Sequence, residues 1–114
     1  MNTANESPAN PQIPMPLPFY AMVAALGDPT RWAIMAELSS GEPRMVKEIA
    51  QRLGRQPAII SKHLAMLKRA NMVVTGRGRL WQIPAQFVAA PDQRQVDFGY
   101  CLLRLPPADA TFKE

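Results

Sequence analysis

The chain has 114 residues, 47% of them apolar and 19% charged, the size of one domain with a modest core and too short for two. A lone cysteine, Cys101, and a lone histidine, His63, exclude a disulfide framework, a Cys-rich zinc site and a Cys/His nucleophile pair, and they suit a reducing compartment. The net charge of +4 is unevenly spread: positions 44–79 hold nine basic residues against Glu48 alone, so that window carries +8 and the remainder −4. Such polarity points to a localised polyanion site, which nucleic acid or an acidic membrane surface would satisfy.

Residues 1–18 hold five of the twelve prolines together with Asn, Ser and Gln, and read as a disordered Pro-rich arm. They contain no Lys or Arg, and Pro14, Pro16 and Pro18 break their apolar run, so no secretory leader is expected. No apolar stretch is long enough to span a bilayer, and the protein is expected to be soluble, cytoplasmic and without a membrane partner.

The domain is expected over residues 19–105. Phe19, Met22, Val23 and Leu26 follow the i, i+3, i+4, i+7 rule of a short helix that Gly27 ends. Asp28 then Pro29 is a helix start, because the aspartate accepts from free backbone N–H groups and proline loses nothing at the first helical position. This second helix runs to about Ser39 with Trp32, Ile34, Met35 and Leu38 as a broad buried face, closed by Gly41 and Pro43. A third helix, Met45 to Leu53, has Val46, Ile49, Ala50 and Leu53 on one stripe. Gly54, Arg55 and Gln56 make a tight turn before Pro57 opens a fourth helix to about Ala70. Helix, glycine turn, helix is the order of a helix-turn-helix unit.

On the fourth helix, Ile60, Leu64 and Leu67 fall on the core side, with Ala58, Lys62, Ala65 and Arg69 nearly opposite. That outward face is small and basic, as a helix entering a major groove requires. Met72–Thr75 and Leu80–Ile83 read as a hairpin whose tip, around Gly76 and Gly78, carries Arg77 and Arg79; beside a helix-turn-helix this is a wing placed to reach phosphates. Residues 85–95 look irregular. Val96 to Leu105 reads as a third strand, and 106–114 as a flexible tail. The fold class is mainly α with a small antiparallel β-sheet (α+β), a winged helix-turn-helix.

The strings ALGDPTRWAIMAEL, VKEIAQRLG, ISKHLAMLKRANMV and TGRGRLW, in this order and spacing, resemble the ArsR-type winged helix-turn-helix transcriptional regulators over about residues 19–84. The resemblance implies a homodimeric repressor or activator reading a palindromic operator, with Ser61, Lys62 and His63 in the recognition helix and Arg77 and Arg79 in the wing. Gln56 and Ile59 stand where the family usually has Ser and Thr. The Cys pairs and the His and carboxylate ligands of metal-sensing members have no counterparts here, so no metal or other cofactor is expected, and the effector, if any, is unspecified. Dimer contacts in the family come from the first and last helices, which makes residues 19–26 and Val96 to Leu105 the candidates.

Arg44, Arg55, Arg69, Arg77 and Arg79 are expected on phosphates and Ala58, Ile59, Ser61 and Lys62 at base edges, with Gln56, His63 and Ala65 completing the interface to double-stranded DNA. The reading from another class is a winged-helix module for protein–protein interaction or dimerisation without DNA binding, resting on the apolar Val96 to Leu105 segment. An enzyme is not expected. No paired carboxylates or Gly-rich phosphate loop occur, and Ser61 and His63, two apart on a helix, do not face each other.

Other residues have blander expectations. His63 either flanks the core, satisfied by a backbone group, or meets a phosphate; Arg31 either pairs with Glu37 or another acid or meets a phosphate. Trp32 and Trp81 pack in the core. Met15, Met22, Met35, Met45, Met66 and Met72 fill gaps, and Cys101 is a small buried apolar residue rather than a redox sensor.

Overall fold

Asp28 starts its helix as its position predicts. Its Oδ1 accepts from the backbone N–H groups of Thr30 at 2.8 Å and Arg31 at 3.1 Å, with Pro29 in the first helical position. The computed structural model describes residues 17–105, and four helices fill its first half. They are α1 (Phe19–Leu26), α2 (Pro29–Leu38), α3 (Val46–Leu53) and α4 (Pro57–Arg69). Their buried faces, including Met22, Ile34, Met35, Leu38, Ile49, Ile60, Leu64 and Leu67, meet in one core.

Leu17 belongs to that core at 3% exposure, and Pro18 offers its carbonyl to Met22 N–H at 3.0 Å. The rest of the arm and the 106–114 tail lie outside the described residues.

After α4 the chain turns through Asn71, whose φ of 63° is a left-handed conformation that asparagine tolerates. Asn71 N–H donates to the Lys68 carbonyl at 2.9 Å and Met72 N–H to the Leu67 carbonyl at 3.0 Å, the paired bonds of a Schellman cap. The hairpin that follows is shorter than its apolar run suggests: β1 (Val74–Thr75) pairs antiparallel with β2 (Trp81–Gln82). Met72, Val73 and Ile83, expected as strand residues, are buried in the core instead. Arg44 adds a third rung, exchanging both backbone hydrogen bonds with Trp81 at 2.9 and 2.7 Å. The wing is thereby tied to the segment between α2 and α3.

The C-terminal third departs most from expectation. Residues 85–95 are ordered, with single 3₁₀ turns at Ala85–Phe87 and Pro91–Gln93 around β3 (Val88–Ala90). The single strand expected from Val96 to Leu105 is two, β4 (Gln95–Asp97) and β5 (Leu102–Arg104). All three form a separate antiparallel sheet in the order β3-β4-β5. Asp97 causes the break: its Oδ1 accepts from Gly99 N–H at 2.8 Å, and Gly99 takes a φ of 105° that a side chain would disfavour. Apolarity there serves the protein's own core, since Val96, Phe98 and Leu105 are buried and Phe87 meets Phe98 edge to face at 5.1 Å. Arg94 fastens the sheet to the helices by donating to the Ala36 carbonyl at 3.3 Å.

Candidate nucleic-acid interface

The turn into α4 depends on Gly54. At φ 67° and ψ 35° it holds the left-handed conformation, and its N–H is directed at the carbonyls of Ala50 and Gln51, closing α3. Arg55 N–H also donates to the Ala50 carbonyl, at 3.0 Å. Gln56 then caps α4 with extended backbone and its carbonyl accepts from Ile59 and Ile60, while its side chain makes no capping bond. Pro57 occupies the first helical position.

With Ile60, Leu64 and Leu67 wholly buried, Ala58, Ile59, Ser61, Lys62, Ala65 and Arg69 are exposed along the rest of the helix. The thirteen residues of α4 include no Asp or Glu. An exposed helix face without acids leaves its positive charge uncancelled within the helix.

The wing tip carries Arg77 and Arg79, both exposed. It is a tight 3₁₀ turn in which Arg79 N–H donates to the Gly76 carbonyl at 3.1 Å, Gly76 N–H donates to the Leu80 carbonyl at 3.3 Å and Thr75 Oγ1 donates to that same carbonyl at 3.0 Å. Gly78 at φ 71° is at ease there, whereas Arg79 at φ 58° is a charged side chain in a left-handed conformation.

Arg44 stands in a different setting from the open, phosphate-facing one expected of it. Its side chain is 15% exposed and lies 3.2 Å from Glu37, 3.1 Å from Glu42 and 3.3 Å from Glu48. Arg52 also pairs with Glu37, which is itself buried. The Arg44 Nε contact to Glu37 Oε2 is misaligned for a hydrogen bond, so its attraction is electrostatic. Among the described residues the ion pairs gather here, and Lys62, Arg69, Arg77 and Arg79 take part in none.

Glu37 is thus not the partner of Arg31. The Arg31 guanidinium donates to the carbonyls of Ala25 at 2.7 Å and Ala24 at 3.4 Å, and its Nη1 stands 3.2 Å from His63 Nδ1 and 3.4 Å from Met66 Sδ. Because arginine only donates, His63 accepts through Nδ1. The partner of His63 is therefore a side chain 32 residues away and not the backbone group expected. Sequence spacing carried no signal for this contact, which staples the end of α1 to α4. Burial acts to raise the pKa of Asp28 nearby. The N–H groups of Arg31 and Thr30 and the charge of Arg31 outweigh it, leaving the carboxyl below its ordinary 3.8.

Three further expectations change. Met45 and Met66 are exposed rather than filling gaps, and Cys101 is exposed rather than buried. Met22, Met35 and Met72 are buried, and Trp32 and Trp81 pack against the core; Met15 lies outside the described residues. Among the described residues no group of three or more His, Cys, Asp or Glu side chains is placed to hold a metal, and no helix is long and apolar enough to cross a membrane.

Comparison with curated proteins and with solved structures finds no match for this chain. A family model described as a helix-turn-helix domain matches residues 26–75, from the last residue of α1 through β1. That match supports a DNA-binding regulator, and with the hairpin and small sheet that follow α4 the fold is an α+β winged helix-turn-helix.

Proposed function

We propose that the protein is a sequence-specific, double-stranded-DNA-binding transcriptional regulator of the ArsR-like kind, a cytoplasmic homodimer acting as repressor or activator on a palindromic operator. In this reading α4 enters the major groove and the wing meets the adjacent backbone. The observation that carries it is the outward side of α4: acid-free, with Ala58, Ser61, Lys62, Ala65 and Arg69 exposed after a glycine turn. In this reading the exposed Lys62 and wing arginines act together on the duplex, with Arg55, Arg69, Arg77 and Arg79 supplying most of the affinity through phosphates. Gln56, Ala58, Ile59, Ser61, Lys62 and Ala65 face the bases, and His63 lies at their margin. Arg44 contributes by fixing the root of the wing.

The dimer contact falls on α1. Its sequence FYAMVAAL has no charged residue, and Phe19, Tyr20 and Val23 remain exposed while Met22 and Ala25 face the core. A helix that is apolar on both sides needs a second surface to cover it. The exposed ring of Phe19 continues into Tyr100, edge to face at 5.2 Å. A protein-docking module without DNA binding keeps a narrower basis, because Val96, Phe98 and Leu105 are used internally while Leu102 stays exposed on β5, the edge strand of its sheet.

The test is selection of duplexes from a random pool, followed by titration of the selected duplex between about 50 and 200 mM salt. A palindrome with half-sites about 34 Å apart and an affinity falling by orders of magnitude with salt is expected. Weak binding indifferent to salt overturns the proposal.

A further inference from the structure

Ile59 is the anomaly of the basic face. It sits in the first turn of α4, 44% exposed, and it is not among the hydrophobic residues packed against the core. Turning by about 100° per residue places it on one stripe with Lys62, Met66 and Arg69. Met66 on that stripe has a partner in Arg31 at 3.4 Å. Ile59 has its backbone N–H bonded to the Gln56 carbonyl at 3.0 Å, and its side chain has no polar atom to offer a base.

In the major groove the base edges present donors, acceptors and a single kind of apolar group, the C5 methyl of a pyrimidine. An aliphatic, β-branched side chain beside a lysine, with the small Ala58 next to it to permit close approach, matches that group and none of the polar ones. Resting on the DNA-binding reading above, we infer that Ile59 is a specificity-determining residue that reads a pyrimidine C5 methyl in each half-site, by apolar contact rather than hydrogen bonding. Thymine and 5-methylcytosine both present this methyl. The lysine and arginine on the same stripe favour DNA over a protein as the apolar partner.

The test uses the full-length protein and the duplex it selects from a random pool. Each thymine of one half-site is replaced in turn by deoxyuridine, which removes only the methyl. At the contacted position wild-type affinity is expected to drop about fourfold, the effect of exposing one methyl-sized group, with the other thymines near neutral. Ile59→Ala is expected to bind the parent duplex about fourfold more weakly and to treat thymine and uracil alike there, while Ile59→Val keeps part of the discrimination. Because Ile59 is exposed, these variants keep the fold, which circular dichroism and thermal melting check.

Cytosine and 5-methylcytosine at the same position separate the two sources of the methyl. A gain from both methyls assigns the ligand as the C5 methyl itself, and a gain from thymine alone assigns thymine. Uracil bound as tightly as thymine at every position overturns the inference and leaves DNA binding standing, as does Ile59→Ala matching wild type on every duplex. Failure to select any duplex overturns the DNA-binding reading and the inference together.

Discussion

Arg44 and Arg77 come from the same basic stretch and belong to the same hairpin system, yet they end in opposite surroundings. Arg44 is largely covered and lies among three carboxylates, while Arg77 stands exposed at the wing tip and takes part in no ion pair among the described residues. What separates them is the supply of acids. Glu42 and Glu48 lie within four residues of Arg44, and α2 delivers Glu37 from the other side, whereas nothing acidic lies near the wing in sequence. A charge sum along the chain therefore overstates the interface. Arg44 and Arg52 are neutralised at the α2–α3 junction, and the remaining positive charge is concentrated on α4 and the wing.

The largest effect expected from this contrast is on stability. Arg44→Ala leaves the buried Glu37 carboxylate with Arg52 as its remaining cation and removes a cross-link between the wing root and two helices. A loss of about 3 kcal/mol is expected, seen as a lower urea midpoint at unchanged m. The folded variant keeps the salt slope of DNA binding, and a reduced slope would move Arg44 back to the interface. Lys62→Glu with Arg77→Glu does the reverse. Affinity falls roughly 100-fold and the salt slope by about one, from the phosphate contact of Arg77, while stability stays within about 0.5 kcal/mol. If both variants lose stability alike, the two regions are not distinct.

A second face sharpens the comparison. Val23→Asp puts a charge on the apolar side of α1 and is expected to weaken self-association at least about tenfold in sedimentation, an energy of about 1.4 kcal/mol. Binding to a half-site survives and binding to the palindrome weakens. A variant still dimeric at the wild-type concentration places the contact elsewhere.

Asp28→Ala removes the cap of α2 and is expected to cost about 1 kcal/mol, and Asp28→Asn, which keeps the acceptor but not the charge, a part of that. The sign with pH follows from the lowered pKa. The folded carboxyl releases its proton more readily than the unfolded one, so its stabilisation is complete above the ordinary 3.8 and is lost as pH falls below it. Wild type and Asp28→Ala should accordingly converge in stability toward acid pH. A difference that persists unchanged to low pH would show that the ionised cap is not its source.

Helices were legible because their signals are local. Asp28 and Pro29 start α2, Gly54 closes α3, Pro57 opens α4, and the buried Ile60, Leu64 and Leu67 follow the spacing of one stripe. The C-terminal sheet was not, since β3, β4 and β5 are three residues each and their pairing is decided by contacts distant in sequence. One local clue was available in the Asp97-Phe98-Gly99 turn, which the apolar residues around it masked. The exposed side of α4 follows from its periodicity. The capture of Arg44 by Glu37 and the 32-residue contact between Arg31 and His63 do not, because each requires helices to be packed before the side chains meet.

The smallest effect separates charge from backbone at a single residue. Arg79 holds φ at 58°, a conformation that costs a non-glycine residue about 1 kcal/mol. Arg79→Gly relieves that cost and is expected to raise stability by about 0.5 kcal/mol after the added freedom of the unfolded glycine is offset. It also lowers the DNA salt slope by about one. Arg79→Ala lowers the slope equally but keeps the unfavourable backbone, so it gains no stability. The gap in melting temperature between the two variants thus measures the conformation, and their shared change in slope measures the charge. Should glycine and alanine prove equally stable, the wing tip has left the left-handed conformation in solution, and the arginine reaches phosphate from a loop that reshapes on binding rather than from a preformed turn.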